Sequence, residues 1–205
     1  LNVAADPFMN VAVSGAHGGL VIVVADDPSM HSSQNEQDSR YFADFAMVPC
    51  LEPADQQQCY DFTREAFELS ERLQVPVLLR LVTRLAHSRA AVRSGVRRAP
   101  NGANWVPDPQ RFTLIPVNAR RAYAGLVDKQ AGLQDWSVGH AVNALTVRDT
   151  GLPGILVSGI AWNYLVEALG DQLDHYNVLR IGAYPLPVAK IRSLLDASSE
   201  VFVVE

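Results

Sequence analysis

The sequence predicts an α/β protein with parallel sheets, and three observations support that fold class. Short apolar runs rich in Val and Ile recur along the chain, as expected for strands that are buried on both faces of a sheet. Helical patterns separate these runs, and this alternation favours right-handed crossovers between parallel strands. The 205 residues are 48% hydrophobic and 19% charged, which is the balance of a globular chain long enough for one large domain or two small ones.

The first half of the chain contains the clearest elements. A long helix is predicted over 54–73, because apolar residues recur at steps of three and four from Cys59 to Leu73 and Asp55 can cap the first free amides. The Gly-rich segment 14–19 precedes a strand and is interpreted as a helix stop. Apolar runs predict strands at 20–25, 46–53 and 75–83.

The second half repeats the alternation after a change of composition. Basic residues, Gly, Asn and three Pro replace the apolar periodicity over 89–111, which indicates a linker or an exposed crossover. Beyond it the pattern predicts helices at 117–135, 161–170 and 185–197, and strands at 154–160, 176–184 and 200–205. We therefore expect two α/β units, 1–90 and 112–205, joined by a linker at 91–111.

Composition narrows the class of protein. The net charge of −5 argues against a nucleic-acid or anionic-membrane partner, since such partners usually require a basic stripe. No apolar run approaches the ~20 residues needed to cross a bilayer, and there is no signal-peptide pattern. Cys50 and Cys59 stand nine positions apart, a spacing that fits neither a metal site nor a redox motif, and this favours a cytoplasmic protein. The chain starts without Met and finishes in a predicted strand, so we expect it to be part of a longer polypeptide.

The polar loop DDPSMHSSQNEQDSR, residues 26–40, is the first candidate site, because ligands of open parallel sheets gather beyond the carboxyl ends of the strands. The alternative is a solvated loop whose Asp, Asn and Ser side chains satisfy turn amides. Ser158 and Gly159 lie in a strand-to-helix turn that favours an N-cap over an anion contact. Arg84 follows the third strand and either holds a carboxylate or forms a surface ion pair. The absence of a G-x-S-x-G elbow and of paired His spacing disfavours a Ser hydrolase and a His metal site.

The motifs LNVAADP, VVADDPSMHSSQNEQDSR and HSR stand in one continuous run over residues 1–89. This run resembles the α subunits of indolepyruvate ferredoxin oxidoreductases, members of the thiamine-diphosphate-dependent 2-oxoacid:ferredoxin oxidoreductases. Residues 112–205 resemble, through their pattern and the motif PLP, the domain of transketolase C-terminal type that follows in such subunits. The resemblance implies that 1–90 is the later part of a pyrimidine-binding-type domain. It also implies that 112–205 is a transketolase C-terminal-like α/β domain, truncated at its end.

The resemblance further implies an enzyme that oxidatively decarboxylates arylpyruvates such as indolepyruvate to acyl-CoA. Coenzyme A is then a co-substrate, and ferredoxin accepts the electrons. The implied cofactors of the full-length protein are thiamine diphosphate with Mg²⁺ and 4Fe–4S clusters. The implied partners are a small β subunit and further copies of the chain. The Glu that activates the cofactor is expected before Leu1, and the diphosphate site and Cys-rich segment after Glu205, so the 205 residues alone are expected to be inactive. Two alternatives stay open: the same chemistry on pyruvate or 2-oxoglutarate, and a non-catalytic interaction or regulatory module derived from the family.

The resemblance places the loop HSSQNEQD beside the reacting end of the cofactor, near a subunit interface. Such a pocket must orient a 2-oxoacid carboxylate and move protons, which requires neutral donors and a titratable group. We expect His31 to exchange a proton and Glu36 to organise the loop. Weaker candidates are Asn2, Arg84 and His87. We expect the catalytic residue that activates the cofactor to lie outside the chain, and we expect no metal ligand within it. The neutral donors of the loop are Ser32, Ser33, Gln34, Asn35 and Gln37.

Overall fold

The computed structural model of the protein describes residues 1–102 and 107–205. Its strands are β1 (Val21–Asp26), β2 (Cys50–Leu51), β3 (Val77–Val82), β4 (Leu145–Thr146), β5 (Gly154–Ser158), β6 (Asn177–Ile181), β7 (Ala183–Tyr184) and β8 (Val201–Val204). Its α-helices are α1 (Ala5–Ser14), α2 (Arg40–Ala46), α3 (Gln56–Leu73), α4 (Thr83–Ala86), α5 (Pro109–Phe112), α6 (Pro116–Asp128), α7 (Gln130–Gly139), α8 (Ala161–Leu169) and α9 (Val188–Ala197). None of the helices in these described ranges is long and apolar enough to cross a membrane.

The first sheet has the strand order β1-β3-β2-β7. Strands β1, β3 and β2 run parallel, so their carboxyl ends lie at one edge of the sheet. The apolar run of β3 suits a central strand that is covered on both faces, and Val77 and Leu78 are fully buried. Arg80 is buried in the same strand. A buried guanidinium is stable only with partners, and those partners lie at the carboxyl edge described below.

The second sheet has the order β4-β6-β5-β8, with β5 parallel to both β6 and β8 and β4 antiparallel to β6. Strand β6 continues past Gly182 into β7, which pairs antiparallel with β2 of the first sheet. The amide of Glu52 donates a hydrogen bond to the Gly182 carbonyl at 2.7 Å where the two sheets meet. One extended segment of the later half therefore belongs to both sheets. It brings the carboxyl end of β5 near those of β2 and β3.

The predicted α/β fold class is confirmed, and most of its predicted elements are present with ends shifted by a few residues. Asp55 caps α3 as expected, because its carboxylate accepts a hydrogen bond from the Gln58 amide at 2.8 Å. The Gly-rich segment also ends a helix as expected, with Gly15 following α1 at a φ of 73°.

Three predicted elements differ from the structure. The strand predicted at 176–184 is two strands, β6 and β7, which are separated by Gly182 and pair in different sheets. The strand predicted at 46–53 is wrong over most of its length, because α2 continues to Ala46 and only Cys50–Leu51 pairs in the sheet. Met47, with a φ of 57°, ends this helix in the left-handed conformation. The helix predicted at 117–135 is two helices, α6 and α7, which meet at Lys129.

Candidate functional site

A cleft of about 370 Å³ lies where the carboxyl ends of strands from both sheets meet. The polar loop after β1 forms one wall, with Pro28 and His31 among its lining residues. Glu52 after β2, Thr83 after β3 and Ala161 at the start of α8 lie on the other sides. This edge of a parallel sheet is where α/β proteins bind their ligands.

The Asp27 carboxylate holds the loop in its shape. One of its oxygens accepts hydrogen bonds from the amides of Ser32 and the following residue, at 2.7 and 2.9 Å, and the Thr83 hydroxyl donates to the other oxygen at 2.6 Å. These hydrogen bonds hold the pKa of Asp27 well below its usual range, and the bond from Thr83 contributes most. Glu36, the residue expected to organise the loop, accepts one bond, from the Ser29 amide at 3.3 Å. The loop is therefore fixed mainly from its β1 end.

Arg80 neutralises two buried carboxylates at the base of the cleft. Its Nε donates to Asp26 Oδ2 at 2.6 Å, and its Nη1 forms an ion pair with Glu52. Asp26 also accepts hydrogen bonds from the amide and hydroxyl of Ser39, at 2.8 and 2.6 Å. Burial by itself lowers the pKa of Arg80, but the Glu52 and Asp26 carboxylates outweigh it and raise that pKa above its ordinary value. The carboxyl-terminal end of the loop, at Ser39, is thus connected through Asp26 to Arg80 of strand β3.

Arg40, the first residue of α2, joins the loop to the second sheet. Its Nε and Nη2 bind Asp38 Oδ2 at 2.9 and 2.6 Å, while its Nη1 contacts Ser158 Oγ at 3.2 Å and the Tyr184 hydroxyl at 3.3 Å. Glu205 Oε2 lies 3.3 Å from Nη2. Burial disfavours the charged forms of both Arg40 and Asp38. The hydrogen bonds between these two side chains outweigh burial, so the pKa of Arg40 is raised and the pKa of Asp38 is lowered.

Glu52 connects the two arginines and the two sheets. One carboxylate oxygen pairs with Arg80, and the other accepts a hydrogen bond from the Tyr184 hydroxyl at 2.7 Å and lies 3.6 Å from Arg40. Burial and then the charge of Glu52 raise the pKa of Tyr184 well above its ordinary value, so its hydroxyl stays protonated as a donor. Gly159 lies against this carboxylate with a φ of 49°, and a methyl group added there would be 2.5 Å from Glu52 Oε1. Both oxygens of Glu52 are therefore engaged within the chain.

The structure divides the predicted site residues among three places. Those that line the cleft are His31, Glu36, Gln37 and Arg84. Those that line a second hollow, of about 480 Å³ beside the edge strand β1, are Ser33, Asn35 and again Gln37. Those that line neither hollow are Ser32, Gln34, Asn2 and His87. The cleft is thus made by only part of the run HSSQNEQD.

Two other expectations change with the structure. The guanidinium of Arg84 stacks 5.5 Å from the ring centre of Tyr164, and it forms no ion pair within residues 1–102 and 107–205. The N-cap predicted at Ser158 is wrong, because α8 has Ile160 at that position and no side-chain cap. Ser158 instead accepts the hydrogen bond from Arg40.

The cleft offers a limited set of chemical groups. His31 supplies an imidazole, the loop supplies neutral amides and Arg84 supplies a cation at the wall. The buried carboxylates are all paired, as described above. In the part of the chain that the structure describes, no three His, Cys, Asp or Glu side chains lie close enough together to hold a metal ion. Such a set can orient a polar ligand and exchange a proton, but it contains no unpaired buried acid.

The fold is shared with 2-oxoacid:ferredoxin oxidoreductases. A 2-oxoglutarate:ferredoxin oxidoreductase from Magnetococcus marinus superposes with a TM-score of 0.66, over 98% of this chain and 43% of that chain, at 14% sequence identity. Identity this low shows the fold alone. No family model matches the chain.

Curated relatives give the more specific similarity. Indolepyruvate oxidoreductase subunits IorA are 42% identical in Methanothermobacter thermautotrophicus, 36% identical in Archaeoglobus fulgidus and 35% identical in Thermococcus kodakarensis. Each match covers 100% of this chain but only 33–34% of the relative, so the chain spans about a third of their length. The resemblance predicted from the motifs of the sequence is therefore confirmed, and it extends over both halves of the chain.

Proposed function

We propose that this chain is one segment of the α subunit of a thiamine-diphosphate-dependent ferredoxin oxidoreductase that converts an arylpyruvate to an acyl-CoA. The observation that carries the proposal is its 34–42% identity, over its whole length, with subunits named for indolepyruvate. In this proposal residues 1–90 are the later part of the domain that contacts the aminopyrimidine ring. Residues 112–205 belong to the following transketolase C-terminal-like domain, after a linker at 91–111.

The cleft residues fit one wall of such a pocket. Thiamine diphosphate, when bound, supplies the nucleophilic carbon that attacks the 2-oxo group. The imidazole of His31 is placed at the cleft to exchange a proton, and the side-chain amide of Gln37 is a neutral donor for a substrate oxygen. Arg84 provides a positive charge at the same wall for a substrate carboxylate.

The two buried carboxylates at the base of the cleft are already engaged within the chain. A carboxylate that hydrogen-bonds the ring must have an oxygen available for it, and the oxygens of Glu52 are held by Tyr184, Arg80 and Arg40. Asp26 is similarly engaged by Ser39 and Arg80. We infer that the activating acid, the Mg²⁺–diphosphate site and the 4Fe–4S clusters lie in the remaining two thirds of the subunit. Electron transfer to ferredoxin and assembly with a small β subunit are part of the same proposal.

The test is turnover by the full-length chain assembled with its small partner subunit. Reduction of ferredoxin is followed by absorbance under anaerobic conditions with indolepyruvate, phenylpyruvate, pyruvate and 2-oxoglutarate in turn. The proposal predicts activity that requires both thiamine diphosphate and coenzyme A and is highest with the arylpyruvates. Preference for pyruvate or 2-oxoglutarate would overturn the substrate class. Absence of thiamine-dependent turnover with every substrate would overturn the enzymatic assignment and favour a non-catalytic module.

A further inference from the structure

A second cleft, of about 340 Å³, lies at the opposite edge of the first sheet from the candidate site. Gly15, Gln74 and Val75 line it, and they precede strands β1 and β3 rather than follow them. Three cations, Arg111, Arg121 and Lys129, also line this cleft, which we call the basic cleft. A single carboxylate, Asp108, faces them, and its Oδ1 already caps α5 by accepting from the Arg111 amide at 3.0 Å. The local excess of positive charge contrasts with a chain whose net charge is −5.

Two of these cations are half-buried close to each other. Burial and then the charge of Arg111 lower the pKa of Lys129, so the two positive charges repel across the cleft. Neither forms an ion pair with a carboxylate of the described residues. The four undescribed residues, 103–106, contain no Asp or Glu, so they contribute no carboxylate either. Among the described residues, Asp108 is therefore the one carboxylate that faces these cations, and it forms no ion pair with either of them.

Helix capping explains part of the arrangement. Arg111 donates through Nε to the Ser14 carbonyl at 2.9 Å, and through Nη1 and Nη2 to the side-chain and backbone oxygens of Gln74 at 3.0 and 3.4 Å. Lys129 Nζ donates to the Leu73 carbonyl at 2.8 Å. These carbonyls lie at the carboxyl ends of α1 and α3, where cations are favourable. A guanidinium has five N–H donors and an ammonium three, so about two donors on each side chain remain for a ligand.

We propose that the basic cleft binds the phosphate group of a phosphorylated small molecule. A guanidinium and an ammonium held side by side suit a dianion, whose charge removes the repulsion between them. Arg121 stands at the exposed rim and adds a third positive charge. The wall formed by Ala12, Val75 and Leu126 is apolar and gives room for the remaining body of the ligand, in a volume typical of small-molecule sites. The site is separate from the proposed thiamine pocket and does not depend on that assignment.

The experiment is isothermal titration calorimetry on the full-length protein assembled with its partner subunit. The protein is first loaded with thiamine diphosphate and then freed of unbound cofactor by gel filtration, because excess cofactor would compete with the probes for the basic cleft. The probes are inorganic phosphate and adenosine monophosphate, with adenosine as the control that lacks the phosphate. Variants Lys129→Gln and Arg121→Gln each remove one cation, and Arg120→Gln is the matched control because it lies next to Arg121 on α6 but outside the cleft. Thermal unfolding of each variant checks that the fold is intact.

The expected result is saturable binding of both phosphate-bearing probes, weakened about tenfold or more in each cleft variant and unchanged in Arg120→Gln. Adenosine should bind much more weakly than its monophosphate. Three results would overturn the proposal: no binding of either phosphate probe at millimolar concentration, equal binding of adenosine, or equal affinity in all three variants. Arg121 is exposed, so its variant keeps the test informative even if Lys129→Gln unfolds the protein.

Discussion

Replacing Arg80 by Met tests the role assigned to the buried charges beneath the cleft. The substitution keeps an unbranched apolar stem in the centre of β3 and removes the guanidinium. It leaves Asp26 and Glu52 without their shared cation, and both carboxylates belong to side chains only 5% exposed. The loss is partly compensated, because Asp26 keeps its two hydrogen bonds from Ser39. Glu52 keeps the hydrogen bond from Tyr184 and the charge of Arg40, which lies 3.6 Å away.

The expected loss of unfolding free energy follows from these contacts. Removing one partner of a buried ion pair typically costs about 3–5 kcal/mol, since the remaining charge is left buried without compensation. The retained hydrogen bonds place Arg80→Met near the lower end of this range, at about 3 kcal/mol. Arg148→Met is the matched control, because Arg148 pairs with Asp174 at the surface, where the side chains are 40% and 68% exposed. Such exposed pairs contribute about 0–1 kcal/mol.

Urea denaturation of the 205-residue chain, followed by circular dichroism, measures both variants against the parent chain. We expect a large decrease in the midpoint for Arg80→Met and almost none for Arg148→Met. The reasoning is refuted if Arg80→Met lowers the unfolding free energy by no more than the surface control does. That result would mean that the buried carboxylates do not depend on Arg80.

Three further predictions concern the same region and the thiols. Gly159→Ala should destabilise the chain by about 1–3 kcal/mol, because its φ is positive and the added methyl meets a buried carboxylate. Gly132→Ala, in the first turn of α7 where nothing lies near the added methyl, is the control and should be neutral or stabilising, and denaturation midpoints measure both variants. Burial raises the pKa of Cys59 to about 11 and raises that of Cys50 further. A thiol reagent at pH 8 should therefore label neither cysteine quickly until the chain is unfolded. Rapid labelling of the native chain would contradict this burial. The folded pKa of Asp27 lies below its unfolded value, so the stabilisation by this carboxylate is present above about pH 4 and is lost as the pH falls through the folded pKa. Asp27→Asn should therefore be less stable than the parent chain at pH 7 and nearly equal to it in strong acid. A stability difference that is independent of pH would count against the assigned hydrogen bonds.

The sequence predicts the strands and long helices well because their patterns are local. The apolar run of β3 and the periodic stripe of α3 are set by burial on two faces and on one face, and burial imposes a readable period. The run of β1 predicts the strand correctly but not its burial, because β1 is an edge strand in which Val23 is 58% exposed. Helix α2 is missed because it has only seven residues, too few to establish a period, and because its apolar end merges with the run before Pro49. Its termination depends on the left-handed backbone of Met47, which the side-chain pattern does not encode.

The buried charges of the site are harder to predict because their partners are far apart in the sequence. Arg40 and Ser158 are separated by 118 positions and Glu52 and Tyr184 by 132, so no spacing rule connects them. One signal was available: Arg80 interrupts an otherwise apolar strand, and a charge in such a position requires buried partners. The loop composition indicated polar side chains beyond β1 but not which of them face the cleft, since that depends on how Asp27 folds the loop.

A matched pair of loop variants tests most directly whether the cleft-facing side of this loop is one wall of the proposed thiamine pocket. His31 lines the cleft and Gln34 does not, although they are three positions apart in the same loop. Both variants are measured in the full-length enzyme assembled with its partner subunit. If the His31 imidazole exchanges a proton with the substrate, His31→Ala should lower kcat/KM for an arylpyruvate by about 10²-fold. Gln34→Ala should change kcat/KM by no more than about twofold. Equal effects of the two variants, or no effect of His31→Ala, would contradict the placement of the loop at the reacting centre.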